Sequence, residues 1–313
     1  MAERFSYSKI DTYSQCGFRY KLRYVDKHYV TGDSVATELG TVIHETEEAI
    51  AKAIQAGEAV NYIALKNRII LAMIELEHKY PDAWYALDKS NRSYKEKLYE
   101  YLRGGIYRLE NFLMANGHLK VIDTEKEFEF EFEGITFHGF IDRILLDTRT
   151  NKYIVQDIKT YAVPVEKKNL DAPLQFVVYT YAMKQLYGLI NEQVECSYDL
   201  PFCNTIQKVE NADYMLKGTE KLKKLLASIE ENDFTPKPSP LCHWCEYSPT
   251  NPNQDPKARN LCPYHSLWTK ENKTQAVASH WAGIENHDIV LFEYIKCQNA
   301  PALETVNCCP NIV

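Results

Sequence analysis

The sequence predicts an α/β chain in which a sheet is flanked by helices, with a helical insertion before the sheet and a cysteine cluster behind it. Three observations carry this prediction. Apolar residues recur at helical spacing between 41 and 116; a period-two pattern with turn signals takes over from 127 to 159; and helix-like and strand-like segments then alternate until a proline- and cysteine-rich stretch begins at 236.

Residues 41–57 read as a helix through Ile43, Ile50 and Ile54, stopped at Gly57. A second helix fits 60–80 and ends before Pro81. A third fits 93–116, with Leu98, Leu102, Ile106, Leu109 and Phe112 on one side and Gly117 behind it. Phe128, Phe130 and Phe132 then alternate with Glu127, Glu129, Glu131 and Glu133, which gives a strand with one wet face. Gly134 turns the chain into a strand over 135–147, and residues 148–151 turn it again into a strand over 152–159, an antiparallel meander. A helix over 172–187 closes at Gly188, strand-like sequence covers 193–209, and an amphipathic helix covers 213–231.

Composition narrows the function classes. The 313 residues are 45% hydrophobic and 25% charged, ordinary values for a globular chain able to bury a core without disulfides. No apolar run reaches the roughly 18 residues of a membrane span, and Met1 to Ser6 lacks the layout of a secretory signal. The expectation is a cytoplasmic protein of a prokaryotic or phage-infected cell. Thirty-six basic against 43 acidic residues give a net charge of −7, which argues against coating nucleic acid by bulk charge. A local groove is a separate matter. The first thirty residues carry six basic and three acidic side chains interleaved with Phe5, Tyr7, Tyr13, Phe18, Tyr20 and Tyr24. This pattern fits the core face of a helix, and it also fits an edge where basic groups meet phosphates and rings stack on bases.

The chemistry concentrates on two adjacent strands. Asp157 and Lys159 are two apart and share a strand face, and Asp142 lies on the neighbouring strand of the predicted hairpin. Two carboxylates converging on one point repel unless a cation separates them, and oxygen ligands of this kind suit Mg²⁺ or Mn²⁺. The lysine can orient or deprotonate a water or stabilise developing negative charge. Such a set suits metal-assisted hydrolysis of a phosphodiester; taken singly, each residue also fits a surface ion pair.

At these residues the chain resembles the RecB-like branch of the PD-(D/E)xK nuclease superfamily, which includes CRISPR-adaptation and phage exonucleases. Five segments carry the resemblance in order, between residue 5 and about 265: Ser6 to Cys16, Gly40-Thr41-Val42-Ile43-His44, Gly139-Phe140-Ile141-Asp142-Arg143, Asp157-Ile158-Lys159, and Gln175-Phe176-Val177-Val178-Tyr179. The resemblance implies a restriction-endonuclease-like core, a central mixed sheet flanked by helices. It implies that His44, Asp142, Asp157 and the Ile158 carbonyl bind the metal beside Lys159, and that Gln175 and Tyr179 sit next to the site. Glu48, four residues after His44 on the same helix face, is placed either to orient the imidazole or simply to face solvent.

Cys242 and Cys245 form a C-x₂-C pair, Cys262 follows after sixteen intervening residues, and His265 comes after two more. Nine cysteines, an odd number, in a chain without an export signal read as thiols or metal ligands. The resemblance implies a four-iron, four-sulfur cluster on Cys16, Cys242, Cys245 and Cys262. Zinc on Cys242, Cys245, Cys262 and His265 is the alternative. Cys196, Cys203, Cys297, Cys308 and Cys309 are read as free.

The reading is a Mg²⁺- or Mn²⁺-dependent DNA exonuclease, acting at DNA ends in recombination, repair or phage DNA processing. Its alternatives are a non-catalytic DNA-binding or assembly subunit and a nuclease directed at RNA. The expected organisation is an N-terminal segment at 1–44, a helical lobe at 45–118, the nuclease core at 119–235, the cysteine region at 236–268 and an extension of unassigned role at 269–313. Without a GxxxxGK[ST] motif, unwinding would come from a helicase or recombination partner. The oligomeric state is left open.

Overall fold

Alternation of phenylalanine and glutamate produces the longest strand of the protein. In the computed structural model, which describes residues 4–30, 34–211, 213–248, 258 and 261–264, Phe128, Phe130 and Phe132 are buried while Glu127, Glu129 and Glu131 face solvent. The expected extension 269–313 and His265 lie outside the described residues. The strands are β1 (Arg4–Phe5), β2 (Leu119–Phe132), β3 (Ile135–Asp147), β4 (Lys152–Ile158), β5 (Val194–Leu200) and β6 (Thr205–Lys208). The helices are α1 (Tyr7–Gln15), α2 (Gly17–Tyr20), α3 (Val35–Ala56), α4 (Tyr62–Lys79), α5 (Pro81–Tyr85), α6 (Tyr94–Arg103), α7 (Arg108–Ala115), α8 (Lys167–Leu170), α9 (Leu174–Tyr187) and α10 (Tyr214–Glu230).

The expected meander forms: β2 pairs antiparallel with β3, and β3 pairs antiparallel with β4. β4 and β5 then pair parallel, β5 and β6 antiparallel, and β1 adds parallel to β3, giving a mixed six-stranded sheet. A parallel neighbour needs a crossover, and α9 lies on it between β4 and β5. Strand-like sequence at 193–209 divides in two, because the chain turns at Pro201–Cys203 and Asn204 takes the left-handed conformation, φ +49°.

The helical block departs from the predicted bounds for identifiable reasons. α3 starts at Val35 rather than near 41, because the Ser34 hydroxyl caps it by accepting the Thr37 N–H at 3.2 Å. It ends as expected at Gly57, which adopts φ +69°. The single helix expected over 93–116 is two helices, α6 and α7, divided at Gly104 and Gly105 by a 3-10 turn over Gly105–Tyr107. Pro81 opens α5 instead of only closing α4, as suits a residue whose missing N–H has no partner to lose at a first helical turn.

The described residues fall into two compact units, those of 1–7 with 33–222 and those of 8–32 with 223–264. In the first, a core built from Leu39, Ile43, Ile50, Ile69, Trp84, Leu98, Ile106 and Leu109 joins α3–α7 to Leu145, Ile154 and Ile158 of the sheet. On β2, Phe128 meets Tyr179 and Phe130 stacks with Tyr181, which seats α9 on the sheet. The second unit is made from both arms of the chain: the Tyr13 hydroxyl donates to the Asp233 carbonyl at 2.5 Å, and Phe18, Leu22, Tyr247, Ala258 and Tyr264 form its apolar cluster. The N-terminal aromatics thus serve largely as core, with Tyr13, Phe18 and Tyr20 buried. Among the described residues no helix is long and apolar enough to cross a membrane.

Candidate active site and cysteine site

Strands β3 and β4 are paired from Asp147–Lys152 as far as Arg143–Gln156, and there the ladder stops. Asp142 and Asp157, the next residues on each strand, stand where the backbones part. The N–H of Ile158, no longer used by a strand neighbour on β3, donates to the Asp142 Oδ2 at 2.6 Å. His44, on α3, brings its Nδ1 to 3.7 Å from the same oxygen.

A third ligand-type residue joins these two. Glu125, His44 and Asp142 each offer one ligand atom, all within 4.8 Å of one another. Glu125 lies on β2 between Thr124 and Lys126, which oppose Arg143 and Ile141, so it stands across from Asp142 where the ladder is interrupted. Its backbone has φ +46°, a left-handed kink inside a strand. Sequence reasoning missed Glu125, because extending the Phe/Glu alternation backwards makes it one more solvent-facing glutamate; a positive φ inside a strand leaves no residue-type signature unless glycine or asparagine occupies it. Beside this group opens a cleft of about 500 Å³ walled by Gly40, Thr41, His44, Glu48 and Glu125. Glu48, expected to orient His44, pairs its carboxylate with Lys52 at 2.5 Å.

The other expected site residues meet at Asp157. Lys159 Nζ lies 2.7 Å from Asp157 Oδ2. Gln175 Nε2 donates to Asp157 Oδ1 at 2.5 Å and to the Tyr179 hydroxyl at 3.0 Å, and that hydroxyl donates to the same Oδ1 at 3.3 Å. Their spacing of four on α9 makes this possible. The six expected side chains therefore gather as two linked sets, His44 with Asp142, and Asp157 with Lys159, Gln175 and Tyr179, joined through the Ile158 N–H.

The electrostatics of the site call for a cation. Burial raises the Asp142 carboxyl, against the lowering effect of His44 and of the Ile158 N–H. Burial also raises Asp157, opposed by Lys159 and reinforced by Asp142. Glu125 is raised by burial too, with Glu48 adding to the effect and His44 opposing it. Burial pulls the Lys159 ammonium down, but the adjacent Asp157 and then Asp142 more than offset this, leaving it above its ordinary value. Asp157 Oδ2 is buried and accepts no aligned hydrogen bond, only the ion pair with Lys159. Three carboxylates against one lysine and one imidazole fit a hard divalent cation.

In the second unit Cys16, Cys242, Cys245 and Cys262 line one cavity together with Phe18, Leu22 and Leu241. Cys16 precedes α2, and Cys242 lies in a 3-10 turn over Pro240–Trp244. Burial pushes the Cys245 thiol up to about 12 and raises those of Cys242 and Cys262, and the sulfurs of Cys16, Cys242 and Cys245 all act on Cys262. The backbone N–H groups of Lys237 and Ser239 donate to the sulfurs of Cys16 and Cys242 at 3.4 and 3.3 Å. Arg19 and Arg23 both pair with Glu246, at 2.8 and 3.0 Å. Cys196 is buried and Cys203 half-buried, and neither is in a disulfide.

Comparison with known proteins gives a family and remote structural likenesses, two of which follow. The family profile described as the PD-(D/E)XK nuclease superfamily matches residues 4–250. A crystal structure described as a "Putative exonuclease" from Eubacterium rectale aligns at 10% identity over 78% of this chain and 88% of that one, with a TM-score of 0.43. The structure of SSO0001 aligns at 17% identity over 60% and 84%, with a TM-score of 0.29. No curated protein shows significant similarity to the sequence. The profile runs through every element that positions Asp142, Asp157 and Lys159, and the mixed sheet with its flanking helices is that of a restriction-endonuclease-like core; the chain belongs to the PD-(D/E)XK nuclease superfamily.

Proposed function

We propose that this nuclease-family protein is a Mg²⁺- or Mn²⁺-dependent exonuclease that hydrolyses phosphodiester bonds at DNA ends, within the RecB-like branch of its superfamily. The observation that carries the reading is the convergence of His44, Glu125 and Asp142 within 4.8 Å, linked through Ile158 to the Asp157–Lys159 pair. His44, Asp142 and Glu125 would hold the ion, with Asp157 and the Ile158 carbonyl completing the ligand set. A divalent ion bound there lowers the pKa of a water and offsets charge on the phosphate. Lys159, held charged by Asp157, donates to oxygen that gains negative charge as the phosphodiester is attacked. Gln175 and Tyr179 hold the Asp157 carboxylate in one orientation, so that its second oxygen stays beside Lys159. Residues 45–118 act as a helical lobe that guides the strand.

In the second unit, Cys16, Cys242, Cys245 and Cys262 bind a four-iron, four-sulfur cluster in this reading. Support comes from the four thiols around one cavity and the two N–H groups directed at sulfur.

The test is cleavage of end-labelled linear DNA, closed circular DNA and matched RNA by purified protein, with Mn²⁺ or with EDTA. Mn²⁺-dependent release of mononucleotides or short products from linear DNA supports the reading. Inactivity on all three substrates overturns it in favour of a non-catalytic binding subunit, and preference for RNA overturns the substrate assignment. Colourless, anaerobically purified protein with stoichiometric zinc would overturn the cluster.

A further inference from the structure

Behind the site, on the side of the sheet that faces α3, lies a second group of charges. Arg143, 1% exposed, donates its Nε to Gln156 at 2.9 Å, its Nη1 to Glu47 at 3.2 Å and its Nη2 to Asp199. Glu47 and Asp199 are fully buried. The Tyr101 hydroxyl donates to Glu47 at 2.8 Å, and Arg108 approaches Asp199 at 2.5 Å. Two arginines thus face two carboxylates, and the group is neutral as a whole.

Such a group is costly. Each ion loses several kcal/mol of hydration on burial, and well-packed apolar side chains commonly hold a fold as firmly or more so. Its placement suggests what it does. Glu47 lies three residues after His44 on α3. Arg143 follows Asp142 on β3, and Gln156 precedes Asp157 on β4. The Asp199 carbonyl accepts the Lys159 N–H at 2.9 Å. Alternation on a strand sends Asp142 and Asp157 to one face and Arg143 and Gln156 to the other. Every candidate ligand or catalytic residue on α3, β3 and β4 is therefore covalently adjacent, or nearly so, to a member of this network. The Glu47–Arg143 contact is a direct tie between the helix that carries His44 and the strand that carries Asp142.

We infer that Glu47 and Arg143 are positioning residues that fix the His44–Asp142 separation and through it the affinity of the site for a divalent cation. The inference rests on the metal-site reading proposed above. Neither residue touches the ion; each sets the register of a ligand-bearing element against its neighbour, and loss of such support typically weakens metal binding by about tenfold to hundredfold. Glu47→Gln is the mildest probe. The amide oxygen can still accept from Arg143 and the NH₂ can donate to Tyr101, so shape is kept while the ionic tie is lost.

The experiment is Mn²⁺ binding by full-length protein, measured by calorimetry and by electron paramagnetic resonance of free Mn²⁺, with melting temperature recorded alongside. Wild type is compared with Glu47→Gln and with the double variant Glu47→Leu/Arg143→Met. The double variant removes one charge of each sign and leaves Asp199 with Arg108, so it is expected to fold at least as stably as the wild type. Expected is a Kd for Mn²⁺ raised about tenfold to hundredfold in both variants. In a cleavage assay the Mn²⁺ concentration for half-maximal rate shifts by the same factor, and the rate at saturating Mn²⁺ changes less. A purely structural role would lower the melting temperature of Glu47→Gln and leave the Kd in place. Wild-type affinity in whichever variant folds overturns the inference and leaves the metal site standing; a wild type that binds no Mn²⁺ overturns the metal site itself.

Discussion

The Asp142 carboxylate accepts the Ile158 N–H at 2.6 Å, at the point where β3 and β4 separate. One carboxylate therefore closes the end of a strand pair and, in the proposed site, also offers a ligand. The two can be separated. Asp142→Asn keeps an oxygen acceptor for the Ile158 N–H but loses the negative charge. It is expected to melt near the wild-type temperature while Mn²⁺ binding and Mn²⁺-dependent cleavage disappear. Calorimetry of both properties checks this, and full activity in the variant would remove Asp142 from the site.

Lys159→Ala should separate binding from catalysis. Removing one stabilising donor commonly costs about 10²–10³ in rate, and in the proposed site other groups would hold the ion. Single-turnover cleavage is expected to fall by that factor with little change in the Mn²⁺ requirement. The deletion also leaves the buried Asp157 without its ion pair.

Stability should depend on pH in a direction fixed by the raised carboxyls. Asp142 and Asp157 bind protons more readily in the folded state than in the unfolded one. Their contribution therefore favours the fold below the ordinary carboxylate pKa of about 4 and is lost as pH rises through the raised values. A bound cation removes that loss. Mn²⁺ should accordingly raise the melting temperature much more at about pH 8 than at about pH 5, where the carboxyls compete for protons. A shift of equal size at both values would contradict the site's electrostatics.

At Glu125 the backbone carries a cost that the proposed ligand role would explain. Replacement by glycine relieves the left-handed conformation, worth about 1 kcal/mol, although the freer unfolded chain gives some of this back. Glu125→Gly is expected to leave metal-free stability at or above that of the wild type while weakening Mn²⁺ binding. Denaturant titration beside calorimetry decides it. A large loss of stability with unchanged binding would show that Glu125 serves the fold alone.

Packing gives a prediction away from the site. A Cβ at Gly218 on α10 would stand 2.3 Å from the Val177 Cγ2 on α9, and a β-branched side chain has little freedom to move aside. Gly218→Ala is expected to cost about 1–3 kcal/mol. Adding Val177→Ala should recover part of it, as denaturant titration of the pair would show.

Much of this was legible in the residues. Period two at Phe128 to Phe132 gave a strand and its faces, and the spacing of Gln175 and Tyr179 put both on the side of α9 that reaches Asp157. What the pattern did not carry falls into two kinds. Local backbone choices overrode periodicity: the Ser34 cap lengthened α3, and Gly104–Gly105 divided α6 from α7. Long-range pairing was silent too. Glu47, Arg143 and Asp199 are far apart in the chain, and nothing about any one of them says that it is buried against the others. Glu125 combines both difficulties, a kink without a glycine and a partner on another strand.

The cysteine-bearing unit has a consequence in time. Cys16 lies in the arm made first, whereas Cys242, Cys245 and Cys262 come more than 220 residues later. At about 5–20 residues per second, synthesis exposes Cys16 for roughly 10–45 seconds before its first partner exists. Residue 222, where the first unit ends, is made only 20 residues before Cys242. The four cysteines can therefore come together only at the end of synthesis, and a chain interrupted before Cys242 carries Asp142, Asp157 and Lys159 without that thiol set.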